Sequence, residues 1–379
     1  MLRILVIGGG IGGTAAALAL RKAGFDVVVH EAHPDSAEDL GAFLTLASNG
    51  MRALAQIDAT DAVTAIGFPL RSLRLLDATG TEVASGPLGE ADDPSLRFRC
   101  LRRGDLNSAL QKEASRRGIE VRHGARLVSV EEGPDAVTAR FADGGHATGD
   151  LLIGADGLNS TVRRTIAPGI APVYAAQRVF YGYTRDARPP GEPEQITMVR
   201  GSRAAFGYTV SPDGETYWFA RVADEPLSAE ELERGAALRE PLVSLLREDT
   251  GPAADIVAAT SDDVLVTNAT EIPTGTPWRS ARTLLIGDAA HAASPATGQG
   301  ASMALEDAVV LAKSLRDTPD TATGLSLYEA LRRPRVEHNI AVSGSISRGN
   351  GGGGSSGGVP RPREEDLGRL LDWNTAVVA

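Results

Sequence analysis

The chain has 379 residues and a mass of 39.5 kDa, enough for two or three domains of about 150 residues each and for a full hydrophobic core. Its 42% hydrophobic and 23% charged residues exclude a disordered or fibrous chain, and a net charge of −11 argues against nucleic acid as a partner. One cysteine, Cys100, excludes an intramolecular disulfide and a Cys-cluster metal site, so no metal is expected. Against 17 aromatics stand 43 glycines, well above the average of about 7%, so turns, close backbone approach or flexible linkers must account for the excess.

In chain order, residues 2–7 form a continuous apolar run of the kind a parallel strand shows when both faces are covered. A glycine cluster, a helix from Thr14 to Lys22 ended by Gly24, and a strand from Asp26 to Glu31 complete one βαβ unit. This N-terminus does not read as a signal peptide, and no run reaches the roughly 18 apolar residues of a membrane span. The expectation is a soluble cytoplasmic chain. Strands are predicted at 96–101, 119–122, 126–130, 136–141 and 150–153, with a helix at 104–117. Cys100 falls inside the first of these strands and reads as a packing thiol. Alternating strands follow at 178–185, 196–200, 204–211 and 216–222, and nine of the 17 aromatics lie between Tyr174 and Phe219. Ser228 and Glu231 form a capping box that starts a helix predicted to reach Arg247. Helices are predicted at 302–315 and 325–346, a flexible glycine-rich linker at 349–358 and a short helix at 364–373.

Three motifs carry chemistry. Gly8, Gly10 and Gly13 satisfy G-x-G-x-x-G within Gly8-Gly9-Gly10-Ile11-Gly12-Gly13. The first glycine permits a tight turn, the second lets a pyrophosphate reach the backbone, and the third lets helix and strand pack closely. Unpaired amides and the dipole at the helix start favour a diphosphate. Glu31, followed by Ala32, ends the second strand, where a carboxylate accepts from ribose hydroxyls and disfavours a 2′-phosphate; this leaves FAD or NAD. The second motif runs from Gly154 through Asp156 and Gly157 to Arg163, and the third from Gly287-Asp288 through His291, Pro295, Gly298 and Gly300 to Ala301. Asp288, at a strand end, suits a polyol such as a ribityl chain, and the Gly298–Gly300 amides suit the negative edge of a flavin. An extended sugar alcohol beside a dinucleotide-type diphosphate selects FAD. More modest readings stand beside these: Asp156 capping a turn, His291 bonding locally, Arg163 pairing with a surface acid.

Taken in this order and spacing, the motifs resemble the group A flavin-dependent aromatic monooxygenases, the p-hydroxybenzoate hydroxylase-like family, over residues 2–340. Arg103-Gly104-Asp105-Leu106 resembles that family's R-x-x-L element, and Gly41-Ala42-Phe43-Leu44 its loop near the flavin ring. The resemblance implies that Arg103, Asp156 and Asp288 contact FAD, and that Pro295 and Gly298 lie by the flavin C4a and N1–C2=O positions, as catalytic elements. It implies NAD(P)H as a transient reductant, O2 as co-substrate and hydroxylation of an aromatic or electron-rich small molecule through a flavin C4a-hydroperoxide. Epoxidation, Baeyer–Villiger oxidation and substrate oxidation or reduction without oxygen insertion are the alternatives, with a non-catalytic flavin-binding protein as a distant one. The fold implied is α/β: a GR2-type Rossmann-like FAD-binding domain with an inserted mixed β-sheet substrate domain and C-terminal helices. The expected division assigns 1–72, 101–173 and 274–320 to FAD binding, 73–100 and 174–273 to the substrate sheet, and 321–379 to the C-terminal helices. Substrate contacts are expected from Tyr181, Arg203, Phe206, Tyr208 and Tyr217, with Gln195 a further polar candidate. The expected assembly is a monomer or homodimer.

Overall fold

The apolar N-terminal run becomes the central strand, Arg3–Ile7, of a five-stranded parallel sheet in the computed structural model, which describes residues 1–36, 41–261, 264–349 and 364–377. Across this sheet the order is Thr283–Leu285, Leu151–Gly154, Arg3–Ile7, Asp26–His30 and Glu120–Arg122, all parallel. Ile4, Leu5 and Val6 are fully buried, which is why the sequence there is apolar without alternation. Helices Ile11–Lys22, Arg103–Arg116 and Gly300–Asp317 share one core with this sheet and with the antiparallel sheet of Leu127–Glu132, Val137–Phe141 and His146–Gly149.

A seven-stranded mixed sheet follows the order Leu265–Glu271, Val173–Thr184, Thr216–Val222, Ala204–Val210, Gln195–Arg200, Ser72–Asp77 and Glu82–Pro87. One of its faces packs on helices Arg239–Leu246 and Ala253–Ala258 through Phe206, Tyr208, Trp218, Leu242 and Val257. Its other face meets the small sheet of Phe43–Leu46, Phe98–Arg102 and Phe68–Leu70, through Ile196 and partly buried aromatics including Tyr181 and Phe219. Of the 73–100 segment, two strands enter the large sheet and Phe98–Arg102 does not. Cys100 is buried in that strand, and burial drives its thiol well above the ordinary range.

One helix differs from expectation. The segment predicted as one helix from Ser228 to Arg247 has the predicted capping box but breaks into Ala229–Glu233, a 3-10 turn at Gly235–Leu238, and Arg239–Leu246. At Gly235 a Cβ would stand 2.6 Å from the Val264 carbonyl oxygen, so only glycine lets the chain pass there. The helix predicted at 325–346 is present as Thr321–Ser347 and runs through Pro334, a residue whose interior cost is about 3 kcal/mol. Ion pairs flank it: Arg332 with Glu306 and Asp307, Arg333 with Glu329 and Glu337, and Arg335 with Glu306. The predicted linker beyond Gly349 lies outside the described residues, and the terminal helix spans Glu364–Leu371. Among the described residues no helix is long and apolar enough to cross a membrane, and no cluster of His, Cys, Asp and Glu is built to hold a metal.

Candidate functional site

A cavity of about 870 Å³ lies between the ends of the parallel strands and the inner face of the seven-stranded sheet. Gly8, Gly10, Ile11, Gly12, Glu31 and Ala32 line one end of it. A Cβ at Gly13 would strike the Gly8 carbonyl, and one at Gly8 the Ala155 carbonyl, so these two glycines let helix, strand and the second motif close together. Gly13 accordingly sits behind the wall, not in it. Gly10 differs, since a Cβ there would meet nothing within 4 Å. It is the N-cap of Ile11–Lys22 and brings no side-chain cap, so the first-turn amides remain for an anion.

Glu31 is fixed at this end: its carboxylate accepts from the Gly9 amide at 2.5 Å and from the His33 amide at 2.7 Å. Beside it lies His30, a lining residue absent from the sequence expectations. His30 stacks on Phe141 with ring centroids 4.6 Å apart, and neither ring nitrogen has a protein partner. Burial lowers its pKa to about 4, so a neutral imidazole faces the cavity at pH 7.

Asp156 both caps a turn and lines the cavity. It accepts from Ser160 Oγ at 2.5 Å and from the Thr161 and Val162 amides at 2.7 and 3.1 Å. Burial raises its carboxyl pKa, and these bonds oppose the rise. Arg163 makes no surface ion pair among the described residues. It is buried and donates to the Leu158 and Ala289 carbonyls at 2.5 and 3.0 Å, tying the second motif to the third.

In the third motif, Asp288 Oδ2 lies 3.9 Å from Arg103 Nη2, and both residues line the cavity. His291 is a structural residue: its Nε2 lies 2.5 Å from Asp307 Oδ2, an oxygen that also accepts from the Gly287 amide at 2.9 Å. Burial alone would raise Asp307, yet His291 and Arg332 hold it down at about 2. Pro295, Gly298, Gly300 and Ala301 line the cavity where a short 3-10 turn runs into helix Gly300–Asp317. Gly298 adopts φ 65°, which glycine tolerates best. Thr297 Oγ1 anchors the turn on Asn339 at 2.9 Å.

Strand parity decides which sheet residues face the cavity. Tyr181 pairs in register with Phe219 and Val179 with Arg221, and all four line the cavity with Ile196, Met198 and Thr267. The expected contacts Phe206 and Tyr208 point to the opposite face: Phe206 stacks on Trp218, and the Tyr208 hydroxyl donates to the Pro190 carbonyl at 2.8 Å. Tyr217 shares the inner face but packs among Phe43, Phe68 and Tyr183, beyond the cavity. Arg203 is exposed and faces Glu248 at 3.4 Å, while Gln195 bonds to Ser72 at 3.4 Å; neither reaches the cavity. Counting in twos from Tyr181 and from its paired strand is the signal that finds Val179, Phe219 and Arg221.

The FAD binding domain family matches residues 1–343. The chain is 32% identical to the aurachin C monooxygenase/isomerase of Stigmatella aurantiaca, over 92% of this chain and 89% of that one. It is 33% identical to the FAD-dependent urate hydroxylase of Klebsiella pneumoniae, over 88% and 87%, and 31% identical to the kynurenine 3-monooxygenase of Salinispora arenicola, over 88% and 77%. A crystal structure of a Klebsiella pneumoniae protein complexed with FAD and uric acid is similar at a TM-score of 0.83 and 28% identity, covering 99% of this chain and 93% of that one.

Proposed function

The chain belongs to the FAD binding domain family and is an FAD-dependent monooxygenase, and from that premise we propose that it hydroxylates a small aromatic compound held between the Pro295–Gly298 turn and the Tyr181–Phe219 wall. The observation that carries this reading is a single cavity that begins at the Gly10 cradle and ends on an aromatic sheet face.

The residues present fit FAD. The open space at Gly10 and the amides beyond it accept a diphosphate, and the Glu31 carboxylate suits an adenosine ribose. Arg103, Asp156 and Asp288 are the polar groups for the rest of the cofactor, with Gly298, Gly300 and Ala301 at the ring end. Hydride acceptance from NAD(P)H and activation of O2 are the chemistry that bound FAD supplies.

This chain's own residues do the positioning. Gly8 and Gly13 set the cradle's shape, and Arg163 fixes the Asp156 turn against Ala289. Asn339 holds the Pro295–Thr297 turn through Thr297. Val179, Ile196 and Met198 supply the apolar part of the substrate end's wall, which limits the access of water to a reactive oxygen donor and orients the ring to be oxidised. A cytoplasmic location and a monomeric or homodimeric state accompany this proposal, the latter checked by sedimentation velocity.

The test is to screen aromatic compounds for accelerated NADH and NADPH oxidation by the FAD-loaded protein and to weigh the product. The expected outcome is substrate-dependent oxidation and a product heavier by one oxygen atom. Stoichiometric hydrogen peroxide with every compound returned unchanged would count against hydroxylation.

A further inference from the structure

Arg221 stands apart from the chain's other arginines in the cavity wall. It belongs to strand Thr216–Val222, is only 8% exposed and lines the substrate end. Arg103 and Arg126 also line the cavity, but the Arg103 side chain is 58% exposed and has Asp288 close by. Arg221 has no ion-pair partner among the described residues. Its one hydrogen bond runs from Nη1 to the Ala296 carbonyl at 2.9 Å, and its Nε is buried with no partner.

Its surroundings make that isolation costly. Around it stand the Phe219 ring, whose centroid is 5.7 Å from the guanidinium carbon, and the partly buried Tyr181 ring. Burial lowers the Arg221 pKa, with Tyr181 the only opposing influence. A guanidinium stays charged in proteins, and a buried charge without a counter-ion is expensive. The one direction left open to it is the cavity. The Ala296 bond meanwhile orients the fork beside the Pro295–Thr297 turn, where the proposed function puts the ring to be oxidised.

We propose that Arg221 is a specificity-determining residue whose guanidinium pairs with an anionic oxygen on the substrate, so that the enzyme takes aromatic anions in preference to their neutral isosteres. This rests on the monooxygenase reading for where the substrate lies, but not on turnover. The anionic oxygen belongs either to a carboxylate or to an ionised ring hydroxyl, and both present the same charge to the fork.

Equilibrium titration of the FAD-loaded protein without reductant tests it, with the flavin absorbance spectrum as readout. One arm compares benzoate with benzamide. The other titrates 4-nitrophenol on both sides of its ionisation. In the wild-type chain at least one anion is expected to bind on the order of tenfold more tightly than its neutral partner; the arm that discriminates identifies the source of the charge. Arg221→Met, close in volume, is expected to abolish that preference, and Arg221→Lys to keep part of it. FAD affinity, followed by fluorescence of released flavin, is expected to change little in either variant. Equal binding of anion and neutral probe, no anion perturbing the spectrum, an Arg221→Met variant that keeps the preference, or one that loses FAD would overturn the proposal. Product mass is an independent readout, so failure here and failure of the hydroxylation reading are distinguishable.

Discussion

Two glycines three residues apart in effect separate folding from binding. Gly10 has φ −72° and ψ −172°, values open to any residue, and a Cβ there meets nothing within 4 Å. Gly10→Val should therefore leave the cofactor-free protein within about 0.5 kcal/mol of wild type, as for an unobstructed surface site, while FAD affinity falls at least about tenfold because the side chain fills the diphosphate's space. Gly13→Val should do something different. Its Cβ collides with the Gly8 carbonyl inside packed structure, and a loss of about 1–3 kcal/mol is expected before any cofactor is added. Urea denaturation of the two apoproteins, followed by FAD titration, separates them; equal stability losses would contradict the assignment. These residues were legible in the sequence because the motif states where a backbone must be bare. His30 and Arg221 were not, since neither belongs to a motif and their meaning comes only from what surrounds them.

At the scale of elements, legibility followed burial. The Arg3–Ile7 strand and the helix after it stand out because a strand covered on both faces shows an unbroken apolar run. Leu265–Glu271 is an edge strand with Leu265 41% exposed and polar residues interspersed, so nothing in its composition marks it. Phe43–Leu46 has only four residues and is defined by pairing with Phe98–Arg102, far along the chain. The aromatic strands at 204–210 and 216–222 were legible as strands, but their two faces were not, since Phe206 and Phe219 are equally apolar and only the helices behind the sheet distinguish them. Helix Gly300–Asp317 carries a second kind of prediction. Asp307 has a folded pKa of about 2 against 3.8 for the free group, so its contribution is present above about pH 4 and is lost as pH falls through about 2. That shift is worth about 2 kcal/mol. Asp307→Asn should cost about 3–5 kcal/mol at pH 7, because it strips Arg332 of a buried partner. It should also flatten the decline in urea midpoint between pH 4 and 2. Parallel declines in both proteins would refute the role.

For the whole molecule, the site is a meeting of three distant chain segments with one inserted sheet. The parallel sheet sets residues of the first motif beside those of the second and third through direct strand pairing. A ligand spanning all three should stabilise the folded state by mass action, by about 2.7 kcal/mol at a hundredfold excess over Kd. Thermal unfolding in increasing FAD is expected to show a steadily rising Tm in the wild-type chain and almost none in Gly10→Val. A Tm indifferent to FAD in the wild type would argue against a shared site.

The position of strand Thr283–Leu285 at the sheet's edge, with the Gly300 helix start just after it, also sets a schedule. During synthesis the Gly10 cradle emerges early, yet the wall that completes the cavity leaves the ribosome only after some three hundred residues have been joined. Until then the nascent chain presents a half-built diphosphate perch with no opposite side. Flavin capture is consequently expected late in the life of each molecule, and a message cut short before that wall is expected to yield protein that does not retain the cofactor.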